Sequence, residues 1–65
     1  MKATYDKKRD VLYIVLRDIE VANSDEQRRG VTFDFDKDSN LVGIEILRAS
    51  ECVDNPAKLD FTTVE

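Results

Sequence analysis

A chain of 65 residues with 42% hydrophobic and 37% charged side chains has room for one domain and the balance of a globular one, rather than of a disordered or membrane-embedded chain. Fourteen acidic residues against ten basic give a net charge of -4, which argues against general binding to nucleic acid or to an anionic membrane surface. Cys52 is the only cysteine and histidine is absent, so neither a disulfide framework nor a tetrahedral zinc site holds the fold together, and an unpaired thiol with no signal-peptide core points to the cytoplasm.

Residues 2–6 alternate, with Ala3 and Tyr5 on one side and Lys2, Thr4 and Asp6 on the other, which predicts a first strand. The charged run Lys7, Lys8, Arg9 and Asp10 then serves as a turn, placing Tyr5 opposite Leu12 and Ala3 opposite Ile14. Residues 11–17 form a second strand that is apolar on both faces, from Val11 through Leu16. Residues 18–30 read either as a polar edge strand over about 20–27, whose charge deters foreign strands, or as an exposed loop. Gly30 permits a sharp turn into the next strand.

The strongest pattern runs from Val31 to Leu47. Val31, Phe33 and Phe35 alternate with polar residues, the tetrapeptide Lys37, Asp38, Ser39 and Asn40 makes a turn, and Val42, Ile44 and Ile46 alternate in a returning strand. A four-residue loop sets Phe35 opposite Val42, Phe33 opposite Ile44 and Val31 opposite Ile46, so both apolar rows share one side. Gly43 marks a bulge or the close approach of another backbone. Asn55 followed by Pro56 predicts one or two helical turns, and residues 60–65 read as a final strand or a frayed arm. The expected fold is therefore mainly β, α+β at most: one domain over residues 1–65, a single antiparallel β-meander of four to five strands with a short C-terminal helical turn.

In a domain this small, apolar burial hardly exceeds the entropy cost of ordering the chain, and with no disulfide or zinc the remaining source of burial is self-association. Leu12, Ile14 and Leu16 belong with the hairpin core, which leaves Val11, Tyr13 and Val15 to be covered by the carboxyl-terminal segment or by a second subunit. These three residues are the expected interface of a homo-oligomer, dimer or higher, or of a complex with another protein.

The chain is poor in groups for chemistry. Without histidine, catalysis would rest on carboxylates, Lys, Tyr or Cys52, and the acidic and neutral neighbours of Cys52 give no reason for a reactive thiolate. Asp36, Asp38 and Asn40 have the spacing of a calcium-binding loop, but Leu41 stands where its glycine belongs and Leu47 where its closing glutamate belongs, so a hairpin turn explains them better. Asp34, Asp36 and Glu45 lie on the polar side of the hairpin, where three carboxylates suit a divalent cation or a small carboxylate-based enzyme; a solvated outer face explains the same residues. No cofactor is expected. Lys7, Lys8, Arg9, Arg28 and Arg29 would serve nucleic acid only if their loops met on one face.

Tyr5-Asp6, Asp10, Leu12-Tyr13-Ile14 and Leu16, followed by Gly30-Val31, Asp34-Phe35-Asp36, the run from Leu41 to Leu47 and Ala49-Ser50, resemble the small prokaryotic domain of unknown function family 2283 (DUF2283) over about residues 3 to 50. The family's usual turn has glycine where Ser39 stands. The resemblance implies a compact β-rich module with no established activity, and no catalytic residue is carried over. It also implies an antitoxin-like or partner-binding role, since relatives of this kind are often encoded beside small toxin-like proteins.

Overall fold

The computed structural model describes all of residues 1–65. Five strands form, β1 (Lys2–Asp6), β2 (Val11–Val15), β3 (Asn23–Arg28), β4 (Val31–Phe35) and β5 (Leu41–Leu47), followed by the one-turn helix α1 (Ala49–Cys52). They make one open, wholly antiparallel sheet in the order β1-β2-β5-β4-β3, mainly β with a short helix as the pattern predicts. The order departs from a sequential meander at one connection. After β2 the chain crosses the end of the sheet to its far edge and returns through β3, β4 and β5, so that β5 lies beside β2. The crossing is held where Leu16 and Arg17 donate their amides to the Val42 carbonyl at 2.8 and 3.2 Å and Ala22 donates to that of Phe35 at 2.8 Å.

The open reading of residues 18–30 resolves to an edge strand, all of it exposed, and Gly30 takes φ 83 in the turn that follows. The pairing of β1 with β2 follows the expected register, as do Val31 with Ile46 and Phe33 with Ile44. Phe35 does not: a bulge after Asp34 sets it opposite Leu41 rather than Val42. Two residues of β5 thus oppose one of β4, and Val42 becomes the largest fully buried side chain.

Partners across a sheet share a face. One face carries the row Ala3, Ile14, Ile44 and Phe33 beside the row Tyr5, Leu12, Ile46 and Val31, apolar from β1 to β4 apart from the Tyr5 hydroxyl. The other carries Thr4, Tyr13, Glu45 and Thr32 beside Lys2, Val15, Gly43, Asp34 and Ser24, mixed in polarity. Only Val42 and Ala49 are buried hydrophobic residues; those of the apolar face are half-buried or, in Ala3, exposed. The molecule is a slab of 34 × 32 × 18 Å, and its radius of gyration of 12.5 Å exceeds the about 11 Å of a compact domain of this length.

The helix begins earlier than expected. It occupies Ala49–Cys52, while Asn55 and Pro56 make only a turn, with the Asn55 side chain accepting the Ala57 amide at 3.1 Å. Residues 60–65 form no strand. In the β4–β5 turn Ser39 adopts φ 64, the left-handed region where a side chain costs energy and glycine does not. The glycine that the resemblance implies at this place would take that conformation without strain. Ser39→Gly is expected to raise stability by about 0.5–1 kcal/mol in chemical denaturation; a loss of stability would contradict the strain.

Candidate functional site

A polar row crosses four strands on the mixed face. Asp34 of β4 stands opposite Gly43 of β5 and Ser24 of β3. Tyr13 of β2 lays its ring over Gly43, and its hydroxyl donates to Asp34 Oδ2, while Ser24 Oγ donates to Asp34 Oδ1 at 2.6 Å. A Cβ at Gly43 would lie 3.0 Å from Tyr13 Cζ and nearer still to the hydroxyl, so the glycine answers the close approach of a side chain. The Asp34 hydrogen bond, then burial, then the charges of Asp34 and Glu45 push the Tyr13 pKa up to about 12. A phenol so protected is a donor at neutral pH, and an aspartate with a hydroxyl on each oxygen is poorly placed as a base.

A second network ties the helix to the sheet. Asp10, at φ 58 in the β1–β2 turn, accepts Tyr5 Oη at 2.6 Å, the Ser50 amide at 3.0 Å and Ser50 Oγ at 2.6 Å, and its own carbonyl accepts the Ala49 amide at 3.0 Å. Arg48, at the N-cap of α1, provides no side-chain cap. Asp10 thus supplies from 40 residues away what the helix start lacks. The Ser50 hydroxyl, followed by that of Tyr5, holds the Asp10 carboxyl below the usual range, and the same bond to Asp10 leads the causes that raise Tyr5.

Asp36 is 4% exposed and closes the β4–β5 turn from inside. Its Oδ1 accepts the amides of Asp38 and Asn40, both at 2.9 Å, and its Oδ2 the Asn40 side chain at 3.3 Å. These bonds, the Asn40 amide foremost, lower its pKa. The spacing of Asp36, Asp38 and Asn40 is therefore that of a turn folded on its own amides. Asp34, Asp36 and Glu45 do not come together as a group of three ligands. Asp36 serves the turn, Asp34 takes two hydroxyls, and Glu45 lies between Tyr13 and Thr32.

Val11, Tyr13 and Val15 are half-buried on the mixed face. Lys7, Lys8 and Arg9 in the β1–β2 turn, and Arg28 at the end of β3 with Arg29 in the turn after it, fall at the same end of the sheet, near its opposite edges, with Asp6, Asp10 and Glu26 among them. Cys52 is exposed and free. Over the apolar face, residues 53–59 roof the β1 side and leave a cleft of about 410 Å³ lined by Tyr5, Leu12, Ile14 and Ile46. The β4 side, with Val31 and Phe33, lies outside that cleft. No helix is long and apolar enough to cross a membrane.

The residues that carry the resemblance thus lie in β1, β2, β4 and β5, in the turns at Asp10, Gly30 and Asp36, and in the Tyr13–Asp34 and Tyr5–Asp10–Ser50 hydrogen bonds. The family model described as protein of unknown function (DUF2283) matches residues 2–50. The chain belongs to the DUF2283 family. No curated protein and no solved structure matches it. The DUF2283 match takes in every strand and reaches Ser50, so the Asp10 clamp lies inside it and residues 51–65 outside. Sequence reasoning missed Ser24, Asp10 and Ser50. The Ser24–Asp34 pair needed the register of β3, and nothing local links positions 10 and 50.

Tyr13 is expected to ionise later than an ordinary tyrosine. Its folded pKa of about 12 lies above the ordinary 10.0, so the Asp34 bond stabilises the DUF2283 fold fully below pH 10 and is lost as pH rises towards 12. Tyrosinate absorbance should show this late step in the native chain and lack it in Tyr13→Phe; an identical titration would refute the pairing. Asp10 and Asp36 act with the opposite sign, their contribution being present above the ordinary 3.8 and lost as pH falls below it. Gly43→Ala should cost about 1–3 kcal/mol by overpacking, and less in a Tyr13→Phe background, where the nearest atom is gone. Equal costs in both backgrounds would show that the phenol is not the obstacle.

Proposed function

We propose that the chain is a self-associating protein-binding module whose apolar face is covered by a second copy. The observation that carries this reading is an excess of surface. A compact monomer of 7.5 kDa exposes about 4,200 Å², whereas this chain exposes 5414 Å². The difference, about 1,200 Å², exceeds the about 800 Å² that each partner buries in a standard interface. One broad face of the slab, 34 × 32 Å, is large enough to supply such an area.

The choice of face rests on what a partner would have to desolvate. Seating a second copy on Val11, Tyr13 and Val15 would bury Glu45, Thr32 and Lys2 with them, and a buried charge without a partner is costly. The face of Ile14, Ile44, Phe33, Leu12, Ile46 and Val31 carries no charge between β1 and β4. A different protein, antitoxin-fashion, would use the same apolar face, and pull-down from cytosol distinguishes it from a second copy.

Sedimentation at micromolar concentration should give a mass of at least two chains, and a strict monomer would overturn the proposal. Ile44→Asp and, nearer the edge, Phe33→Asp should weaken assembly by about 100-fold or more, because a symmetric interface would bury the charge twice. Val15→Asp, on the other face, should leave assembly intact. If instead Val15→Asp dissociates a folded protein and Phe33→Asp does not, the interface is the one formed by Val11, Tyr13 and Val15.

A further inference from the structure

Residues 59–65 leave the sheet carrying side chains that water does not favour. Leu59 is 68%, Phe61 74% and Val64 88% exposed. No backbone hydrogen bond holds any of these seven residues; the last one in the chain runs from the Lys58 amide to the Asn55 carbonyl at 3.1 Å. The segment begins at the rim of the cleft, since Leu59 is one of its lining residues, and it starts beside the part of the apolar face that residues 53–59 already roof.

We propose that in the self-associated protein each copy lays residues 59–65 across the β4 side of its partner's apolar face, beside Val31 and Phe33. This rests on the dimer reading above and specifies what completes its interface. The first reason is reach. Seven extended residues span up to about 23 Å, and five strands about 19 Å from first to last, so the segment can cross a partner's sheet.

The second reason is supply and demand. One extended segment shields a strand-wide band, too little for the excess surface of this chain, so folding back onto its own sheet would leave most of that face wet. Sheet against sheet covers the centre, and the two segments cover the margins that two twisted slabs leave open.

The third reason is charge. The segment carries Asp60 and Glu65 and no basic residue. Beyond Val31 the apolar face ends at Arg28, with Arg29 in the turn and an Arg48 guanidinium nitrogen 3.3 Å from where a Gly30 Cβ would stand, whereas beyond Phe33 it ends at Asp25. A segment seated with Phe61 and Leu59 on the Val31 and Phe33 side therefore sets its carboxylates at the Val31 end, away from Asp25. The two-fold relation of a symmetric dimer makes the exchange reciprocal.

The test uses mixed dimers. One copy, isotope-silent and carrying Cys52→Ser with Thr63→Cys, bears a nitroxide; the other is isotope-labelled and unmodified. Broadening of the Val31 and Phe33 amides of the labelled copy is the expected result. Broadening only when nitroxide and isotope share one chain shows closure onto the chain's own sheet and overturns the exchange. No broadening in a dimer that sedimentation confirms overturns it too and leaves the sheet-face dimer standing, whereas a strict monomer removes both. Leu59→Ser with Phe61→Ser should weaken the dimer by about tenfold or more without changing the monomer fold. Asp60→Asn with Glu65→Gln should weaken it less, and the gap should close at high salt.

Discussion

A sheet has two faces, and this chain has the material to cover part of one. Everything else in the molecule follows from that shortage. With a single layer, full burial of apolar side chains is confined to places where the backbone itself doubles up: Val42 in the β-bulge, under the β2–β3 crossing, and Ala49, where the helix folds against Asp10. The strands have the β-branched and aromatic residues that suit a half-buried pleated surface, yet none of the β2 or β4 side chains is fully buried.

Where apolar burial is scarce, directed polar contacts take over the task of fixing the arrangement. Asp34 ties β2, β4 and β3 together through two hydroxyls, and Asp10 joins the first hairpin to the residues after β5. Asp36 sets the turn between β4 and β5. Each of the three carboxylates lies where a slip of one residue would break its bonds, so each makes register a discrete choice. These groups are hydrogen-bonded within the chain, and what they hold together is the sheet and its turns.

The legible part of the fold was the part written in period two. Alternation gave β1, β4 and β5, the partners of Tyr5, Ala3, Phe33 and Val31, and the turn at Lys37 to Asn40, while β2 was read from its unbroken apolar run. What stayed hidden depends on more than alternation. Leu41 and Val42 are both apolar, so the pattern cannot say which of them stands opposite Phe35; the bulge decides it. The asparagine and proline at 55 and 56 carry a helix-start signal, but no amphipathic run follows to extend it past one turn. Strand order was hidden because β3 is polar throughout and pairs with β4 through its backbone and the Ser24–Asp34 hydrogen bond, giving no apolar face with which to place it. The Asp10–Ser50 clamp spans the chain and leaves no spacing to read.

The division of labour between the faces also bears on why the apolar one is exposed at all. On the mixed face, Tyr13 spends its hydroxyl on Asp34 and its ring on Gly43, and a partner there would gain little that the chain has not already supplied. On the other face, two rows of four residues run across the sheet with the Tyr5 hydroxyl as their one polar group, and that hydroxyl is already bound to Asp10. Such a surface gains only from exclusion of water, which is non-directional and grows with area. In the proposed dimer these carboxylates would fix the sheet's form before the partner arrives, so that association would not have to order the strands it covers. A small domain organised in this way can hold its register with polar bonds and leave apolar surface for the proposed partner to cover.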